Sequence, residues 1–348
     1  MKMLVTARIE SDDMERLRGL FSDIETAGWG LDRVKLDEEQ MIERLREKDA
    51  AIIEFEPMTE KVISASPGLK LIACCRNEPE ANVDVEAATA RGIPVLSGAG
   101  RNAVSVAEFT FGMLLALSRN IAKTDYLLKR TDEITGMAYS GKDQLKGRPS
   151  EWSLDANAPF NRYGGPELYG KNFGVVGLGT IGRVVASMGR AFGMNVLVFD
   201  PYVSEQAIME QVGGRKVSLE ELMQEADFVS LHAKVTAETT GLIGRRTLSM
   251  MKPHAYLVNT ARAALMDYDA LYAALMQGRI AGAALDVYPE EPIRTGNPFL
   301  KLDNVLLTPH LAGSSHDIPR HHSKLITDDV IRYYGGQRPQ RIMNPEVL

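Results

Sequence analysis

The stretch Phe173–Asp200, FGVVGLGTIGRVVASMGRAFGMNVLVFD, constrains the fold of this chain more than any other. A short apolar β-like run, Phe173–Val176, leads into Gly177, Gly179 and Gly182, spaced Gly-x-Gly-x-x-Gly. A helix-period segment from Ile181 to Phe192 follows, and a second β run, Val196–Phe199, ends in Asp200. Strand, glycine turn, helix and strand in that order predict a βαβ unit built for a dinucleotide. The first glycine permits a tight turn, the second lets the backbone approach a pyrophosphate, and the third allows close helix–strand contact. The helix N-terminus then offers N–H groups and a positive dipole end to the phosphates. Asp200 lies 18 residues past Gly182, where a carboxylate can grip ribose hydroxyls. That carboxylate would repel a 2′-phosphate, and the next residues, Pro201, Tyr202 and Val203, bring no arginine. The expected cofactor is NAD.

A chain of 348 residues is long enough for two domains with substantial cores. A net charge of −6 argues against a nucleic-acid or anionic-membrane surface. Its two cysteines, Cys74 and Cys75, are adjacent in a strand-like run, so they predict buried thiols rather than a disulfide framework. The opening MKMLVTARIESDD has too short an apolar run for a secretory leader. No run reaches the ~18 apolar residues of a membrane-spanning helix, so the expected location is cytoplasmic.

Residues 1–100 alternate strand candidates (Met3–Ala7, Ala51–Phe55, Leu71–Cys75, Pro94–Ser97) with amphipathic stretches near Asp12–Ala27, Glu38–Lys48, Glu60–Ala65 and Val83–Ala90. This predicts a first α/β lobe with a parallel sheet. Ser105-x-x-Glu108 has the form of a capping box ahead of one long helix from Val106 to about Leu128. From Thr131 to Leu168 periodicity is lost among Gly136, Gly141, Gly147, Pro149 and Pro159, with Tyr139, Trp152, Phe160 and Tyr163 interspersed. Such an expanded loop is expected to be functional or interfacial. The second lobe continues through strands at Asp227–Leu231, Ala255–Asn259, Ile280–Leu285 and Asn304–Leu307, and a closing helix at Ser315–Tyr334.

Reactive side chains cluster just past these later strands, where ligands of open α/β sheets collect. Arg262 follows the strand ending at Asn259, Glu290 and Glu291 follow the Ile280–Val287 region, and His310 follows Val305–Leu307. An arginine can clamp a substrate carboxylate by a bidentate pair. A histidine can move a hydroxyl proton while hydride passes to a nicotinamide, and a carboxylate can hold the imidazole.

The chain resembles the D-2-hydroxyacid dehydrogenases, the family that includes phosphoglycerate dehydrogenase. The resemblance rests on Asn82-Val83-Asp84, Arg91-Gly92-Ile93-Pro94-Val95, Ser105-Val106-Ala107-Glu108 and Tyr169-Gly170-Lys171 leading into the glycine motif. It continues through Leu231-His232, Asn259-Thr260-Ala261-Arg262, Leu285-Asp286-Val287-Tyr288-Pro289-Glu290-Glu291-Pro292, Thr308-Pro309-His310 and Asn344-Pro345-Glu346-Val347. It implies two Rossmann-like or flavodoxin-like parallel-sheet lobes with a cleft between them. The implied substrate-binding domain is discontinuous, 1–118 plus 315–348, and the implied NAD-binding Rossmann domain is 119–314, carrying the expanded loop at 131–168. It implies catalytic Arg262, Glu291 and His310, with Glu291 preferred over Glu290 because it falls five residues after Asp286 and just before Pro292. Cofactor contacts are implied for Gly177, Gly179, Thr180, Ile181, Gly182, Asp200, His232, Thr260, Ala261, Asp286 and Gly313. The implied reaction interconverts a small 2-oxo acid and a D-2-hydroxy acid, and the implied assembly is a homodimer through the nucleotide lobe.

This chain departs from the family pattern at several points. The first-lobe loop reads Cys75-Arg76-Asn77-Glu78-Pro79-Glu80-Ala81-Asn82 where glycines are usual, Ala263 replaces the glycine after the catalytic arginine, and Lys234 replaces a proline. Arg76 and Asn77 are expected to contact substrate; Arg76 favours an anionic tail, whereas Glu78 and Glu80 oppose one. No metal site is expected: His316, His321 and His322 are taken as helix-surface positions, and His254 as a turn residue without a partner. A rival reading on the same fold is an NAD(H)-sensing, corepressor-like interaction protein, against which stand the lack of a basic face and of a disordered interaction tail.

Overall fold

The computed structural model describes residues 1–134 and 158–348. The chain divides into two compact units, Met1–Asn102 with Ser314–Leu348, and Ala103–Gly313. Each is a parallel α/β sheet.

The first unit holds β1 (Lys2–Val5), β2 (Asp23–Thr26), β3 (Ala50–Ile53), β4 (Leu71–Cys74) and β5 (Val95–Ser97) in the order β2-β1-β3-β4-β5. Successive side chains of a strand point to opposite faces, and the core follows that alternation. Leu4, Ala51, Ile53, Ile72, Cys74 and Val95 pack on one face; Met3, Val5, Ala50, Ile52, Leu71, Ala73, Cys75 and Leu96 pack on the other. Both thiols are buried, which pushes them up, Cys74 to about 11. The expected helix Asp12–Ala27 is shorter, Ser11–Arg18, and its second half is β2 instead. This strand has no apolar run; it lies on the sheet edge with its side chains partly or fully in solvent.

The C-terminal segment completes this unit. Ile326 and Val330 of the helix Ile318–Tyr334 enter the core beside β4 and β5. Asn344 accepts from Val95 N (2.8 Å) and donates to Ile93 O and Thr89 Oγ1, both at 2.9 Å. His322 was expected on the helix surface but is fully buried. Its Nε2 lies 2.7 Å from the Arg8 carbonyl, so Nε2 carries the proton and Nδ1 faces Arg101 at 3.5 Å. Arg101 in turn pairs with Glu54 at 2.6 Å. His316 is exposed and His321 half-buried.

In the second unit β6 (Asn172–Val176), β7 (Asn195–Phe199), β8 (Arg215–Lys216), β9 (Phe228–Leu231), β10 (Tyr256–Asn259), β11 (Gly282–Leu285) and β12 (Val305–Leu307) pair in the order β12-β11-β10-β9-β6-β7-β8. The chain starts at the central β6, builds to one side, then crosses to β9, so the order reverses between β6 and β9. That switch point is where such sheets bind ligands.

The single helix expected from Val106 to Leu128 is two helices, Ala103–Ser118 and Ile121–Arg130. Asn120 takes a left-handed φ of 56° at the break, and its side chain donates to Tyr163 O. Gly165 crosses there so closely that a Cβ would lie 1.9 Å from Ser118 O. A left-handed asparagine, a favoured helix stop, and a close crossing segment thus coincide where the first helix ends. Ser105 lies inside that helix, not at its cap. The helix also groups with the second unit, whereas the domain expected over 1–118 would have placed it in the first. Of the expanded loop expected over 131–168, Tyr139, Trp152 and their neighbours lie outside the described residues. Within the described part, Pro159–Arg162 is a short helix whose Arg162 pairs with Glu133 at 2.6 Å.

Asp227 fastens the start of β9. It accepts from Asn172 N at the head of β6 (2.9 Å), from Lys252 Nζ (2.8 Å) and from His254 Nε2 (3.1 Å), so His254 does have a partner. Burial works to raise this carboxyl, but the Lys252, Asn172 and His254 contacts outweigh it and hold it below its ordinary value. Its contribution to stability is therefore complete above the unfolded carboxylate pKa of about 3.9 and is lost as pH falls through the folded value. Asp227→Ala strands the Asn172 amide and the Lys252 ammonium. Thermal or urea unfolding at neutral pH should show a loss of about 2 kcal/mol, shrinking toward zero in acid; an unchanged midpoint would refute the role.

Candidate active site

At the switch point the β6 chain turns through Gly177, which has φ +92° and where a Cβ would come within 2.6 Å of Ala233 N. At Gly182 a Cβ would lie 2.1 Å from Gly177 O. Neither position admits a side chain. Gly179 is the opposite case, with nothing within 4 Å of its Cβ direction. The helix Thr180–Ala191 starts there with no side chain capping it, so its first-turn N–H groups are offered outward over an open surface. Asp200, at the end of β7, accepts from Leu178 N inside the turn (2.7 Å) and from Tyr202 N (2.9 Å). Each carboxylate oxygen keeps a further acceptor site. Two closed positions around one open glycine, with a carboxylate alongside, fit a dinucleotide.

His232 closes the far side of this turn: its N–H donates to Val176 O (2.8 Å), and its Nε2 lies 2.7 Å from Ser230 Oγ. Although part of the residue faces solvent, its ring is enclosed, and burial pushes the imidazole down to about 3. It is a neutral group beside the glycine turn. Thr180 and Ile181 form the first helical turn. Thr260 is buried with its hydroxyl 2.9 Å from that of Thr110.

Past β10 the Asn259 side chain shapes the next loop, accepting from Ala261 N (3.0 Å) and donating to Arg262 O (3.1 Å). The Arg262 side chain lies on the exposed side of this brace and touches Ala261 O at 2.8 Å. Past β12 comes His310, with φ +57°, whose Nδ1 lies 2.6 Å from Glu291 Oε2. The other oxygen of Glu291 accepts from Tyr288 N at 3.0 Å. Burial acts to raise the Glu291 carboxyl, yet the His310 bond, the Tyr288 amide and the charges of His310 and Arg262 together hold it below its ordinary range. The cation, carboxylate and imidazole expected from sequence thus act on one another in one unit. The imidazole and carboxylate side chains remain 46% and 35% exposed, so both stay accessible to a small molecule. Glu290 turns away and pairs with Arg294.

Asp286, expected as a cofactor contact, is fully buried. It receives Thr308 Oγ1 (2.6 Å) and the amides of Leu311 and Ala312 (both 2.8 Å), so its carboxylate anchors the His310 loop. Gly313 follows that anchor. Asn259 and Asp286 are thus the braces of the Arg262 and His310 loops. Asn259 entered the sequence reading only as the first residue of the Asn259-Thr260-Ala261-Arg262 motif, with no role of its own. Arg76 and Asn77 belong to the first unit. The Arg76 guanidinium lies over the Phe55 ring, 5.6 Å from its centroid. Asn77 donates to Asn102 Oδ1 (2.9 Å) and accepts from Gly100 N (3.2 Å), which ties two loops together.

Residues 111–312 match the family model described as D-isomer specific 2-hydroxyacid dehydrogenase, NAD binding domain. A glyoxylate reductase of Korarchaeum cryptofilum is 35% identical over 309 residues, 88% of this chain and 86% of that one. A D-3-phosphoglycerate dehydrogenase of Methanocaldococcus jannaschii is 34% identical over 345 residues; the match takes in 99% of this chain but 59% of that longer protein. Among solved structures, the apo D-lactate dehydrogenase of Escherichia coli superposes with a TM-score of 0.65 at 26% identity, covering 99% of this chain and all of that one. With the sheet order, the glycine turn and these matches in agreement, the chain belongs to the D-isomer specific 2-hydroxyacid dehydrogenase family, and its second unit carries that family's NAD-binding domain.

Proposed function

We propose that the chain is an NAD-dependent D-2-hydroxyacid dehydrogenase that interconverts a small 2-oxo acid and the corresponding D-2-hydroxy acid. The observation carrying this reading is the 2.6 Å contact between His310 and Glu291, under the charge of Arg262, in the unit that holds the glycine turn. Gly177, Gly179, Thr180, Ile181, Gly182 and Asp200 would hold the dinucleotide, with His232, Thr260, Ala261 and Gly313 lining its approach. When bound, that cofactor supplies the hydride for the carbonyl carbon. His310 gives a proton to the carbonyl oxygen from Nε2, the ring nitrogen turned away from Glu291. Glu291 orients the ring and complements the charge it carries before transfer, and Arg262 pairs with the substrate carboxylate. The relatives' names, glyoxylate reductase and D-3-phosphoglycerate dehydrogenase, bring small 2-oxo acids to the front of the list of substrates. The enzyme works as a cytoplasmic homodimer associated through the second unit.

NADH absorbance followed with glyoxylate, hydroxypyruvate, pyruvate, 2-oxoglutarate and bulkier 2-oxo acids tests the reading. At least one should be reduced, and NADH should outperform NADPH by about tenfold or more, because a carboxylate at Asp200 would repel a 2′-phosphate. Equal use of NADPH would remove Asp200 from cofactor selection. Silence across the panel from a protein that binds NADH would overturn the enzymatic reading in favour of a sensor.

A further inference from the structure

We propose that Tyr288 is a positioning residue for His310, its hydroxyl fixing the left-handed turn that presents the imidazole. The inference rests on the reading of His310 as the acid–base group. Tyr288 is 6% exposed, and its hydroxyl lies 2.8 Å from Thr308 O and 3.0 Å from Leu285 O. The same residue's amide donates to Glu291 Oε1. One residue therefore touches both halves of the His310–Glu291 pair, the carboxylate through its backbone and the histidine loop through its side chain.

The carbonyl of Thr308 is the point that matters. It accepts from His310 N at 3.1 Å, which closes the turn, and His310 sits at φ +57°, a conformation unfavourable for a residue with a side chain. Such a conformation persists only where its surroundings over-determine it. Downstream, Asp286 holds the amides of Leu311 and Ala312. Upstream, Thr308 N donates to Leu285 O and its hydroxyl reaches Asp286. Among the described residues, the Thr308 carbonyl itself is held from outside the loop by Tyr288 alone. Burial pushes the phenol up to about 12, so the hydroxyl remains a donor across the working pH range. Without it the carbonyl can tilt, and the imidazole moves relative to Glu291 and substrate. An error of about 1 Å in such a group can cost up to about a hundredfold in rate.

Tyr288→Phe keeps the ring and its packing and removes only the hydroxyl. Tyr268→Phe is the comparison, because that hydroxyl meets Val287 O, on the peptide whose N–H serves Glu291, and so loosens the carboxylate side without touching the His310 loop. For Tyr288→Phe we expect kcat to fall about tenfold, the KM for the oxo acid and NADH affinity to hold, and the kcat–pH profile to move. Tyr268→Phe should lower kcat by less, because it leaves the Thr308 carbonyl held. Wild-type kcat and profile in Tyr288→Phe would overturn the inference while leaving the dehydrogenase reading intact. An equal fall in both variants would also overturn it, as general loosening of the region. A wild-type protein without turnover on any 2-oxo acid would defeat the dehydrogenase reading and this inference with it.

Discussion

His310→Ala is expected to lower kcat by about three orders of magnitude while leaving NADH affinity within about twofold. The size follows from the step removed. Without the imidazole the carbonyl oxygen must take its proton from water, and general acid catalysis by a positioned side chain is worth about 10²- to 10⁴-fold. The selectivity follows from geometry, because His310 lies past β12 on a loop anchored by Asp286, whereas the glycine turn is built from β6, β7 and β9. Glu291→Gln should cost less, because the amide can still touch Nδ1 but cannot complement its charge. The pH dependence has a definite sign. The Glu291 carboxyl is held below its ordinary range, so it is ionised above about pH 4.3, and its support for His310 fades as pH falls through that depressed value. Steady-state rates with single-turnover controls separate these cases. A His310→Ala protein that turns over within about tenfold of wild type would transfer the acid–base role to another group.

The parts of this molecule legible in the sequence are those set by local pattern. The apolar runs at Leu71–Cys74, Phe228–Leu231 and Tyr256–Asn259 are strands fully or nearly fully buried, and both sides of a parallel sheet demand such runs. β2 escaped notice because an edge strand with its side chains in solvent needs no apolar pattern. The break at Asn120 carries only a weak local mark, a lone asparagine in an otherwise periodic run, while the crossing of Gly165 beside it comes from 45 positions away in the chain. Burial of His322 follows from its contacts with Arg8, Arg101 and Glu54, none of them near it in sequence. The site divides in the same way. The side chains that reach solvent, Arg262, Glu291 and His310, stood out by chemistry and place. The braces behind them, Asn259 and Tyr288, fall inside quoted motifs without any role legible in them; only their bonding partners reveal what they hold.

The glycine turn gives a second large effect, and its three glycines separate folding from binding. At Gly182 an added methyl would lie 2.1 Å from Gly177 O, and that backbone atom cannot move aside without carrying the turn with it. Gly182→Ala should therefore lift the helix Thr180–Ala191 off β6, lowering stability by about 2 kcal/mol and NADH affinity by about a hundredfold. At Gly179 nothing lies within 4 Å of the added methyl, so Gly179→Ala should fold as well as wild type. The same methyl would project into the open surface above the first helical turn, where a pyrophosphate must approach the backbone. Affinity should then fall by about tenfold or more with the melting temperature unchanged. Thermal melts paired with NADH titration by fluorescence measure both quantities in each variant. If Gly179→Ala bound NADH as wild type does, the open surface above that turn would not be where the pyrophosphate lies. If instead it melted early, the space seen around Gly179 would be filled in solution by the protein itself. Loss of binding in both variants, with loss of stability in Gly182→Ala alone, is the pattern that only a phosphate-cradling turn produces.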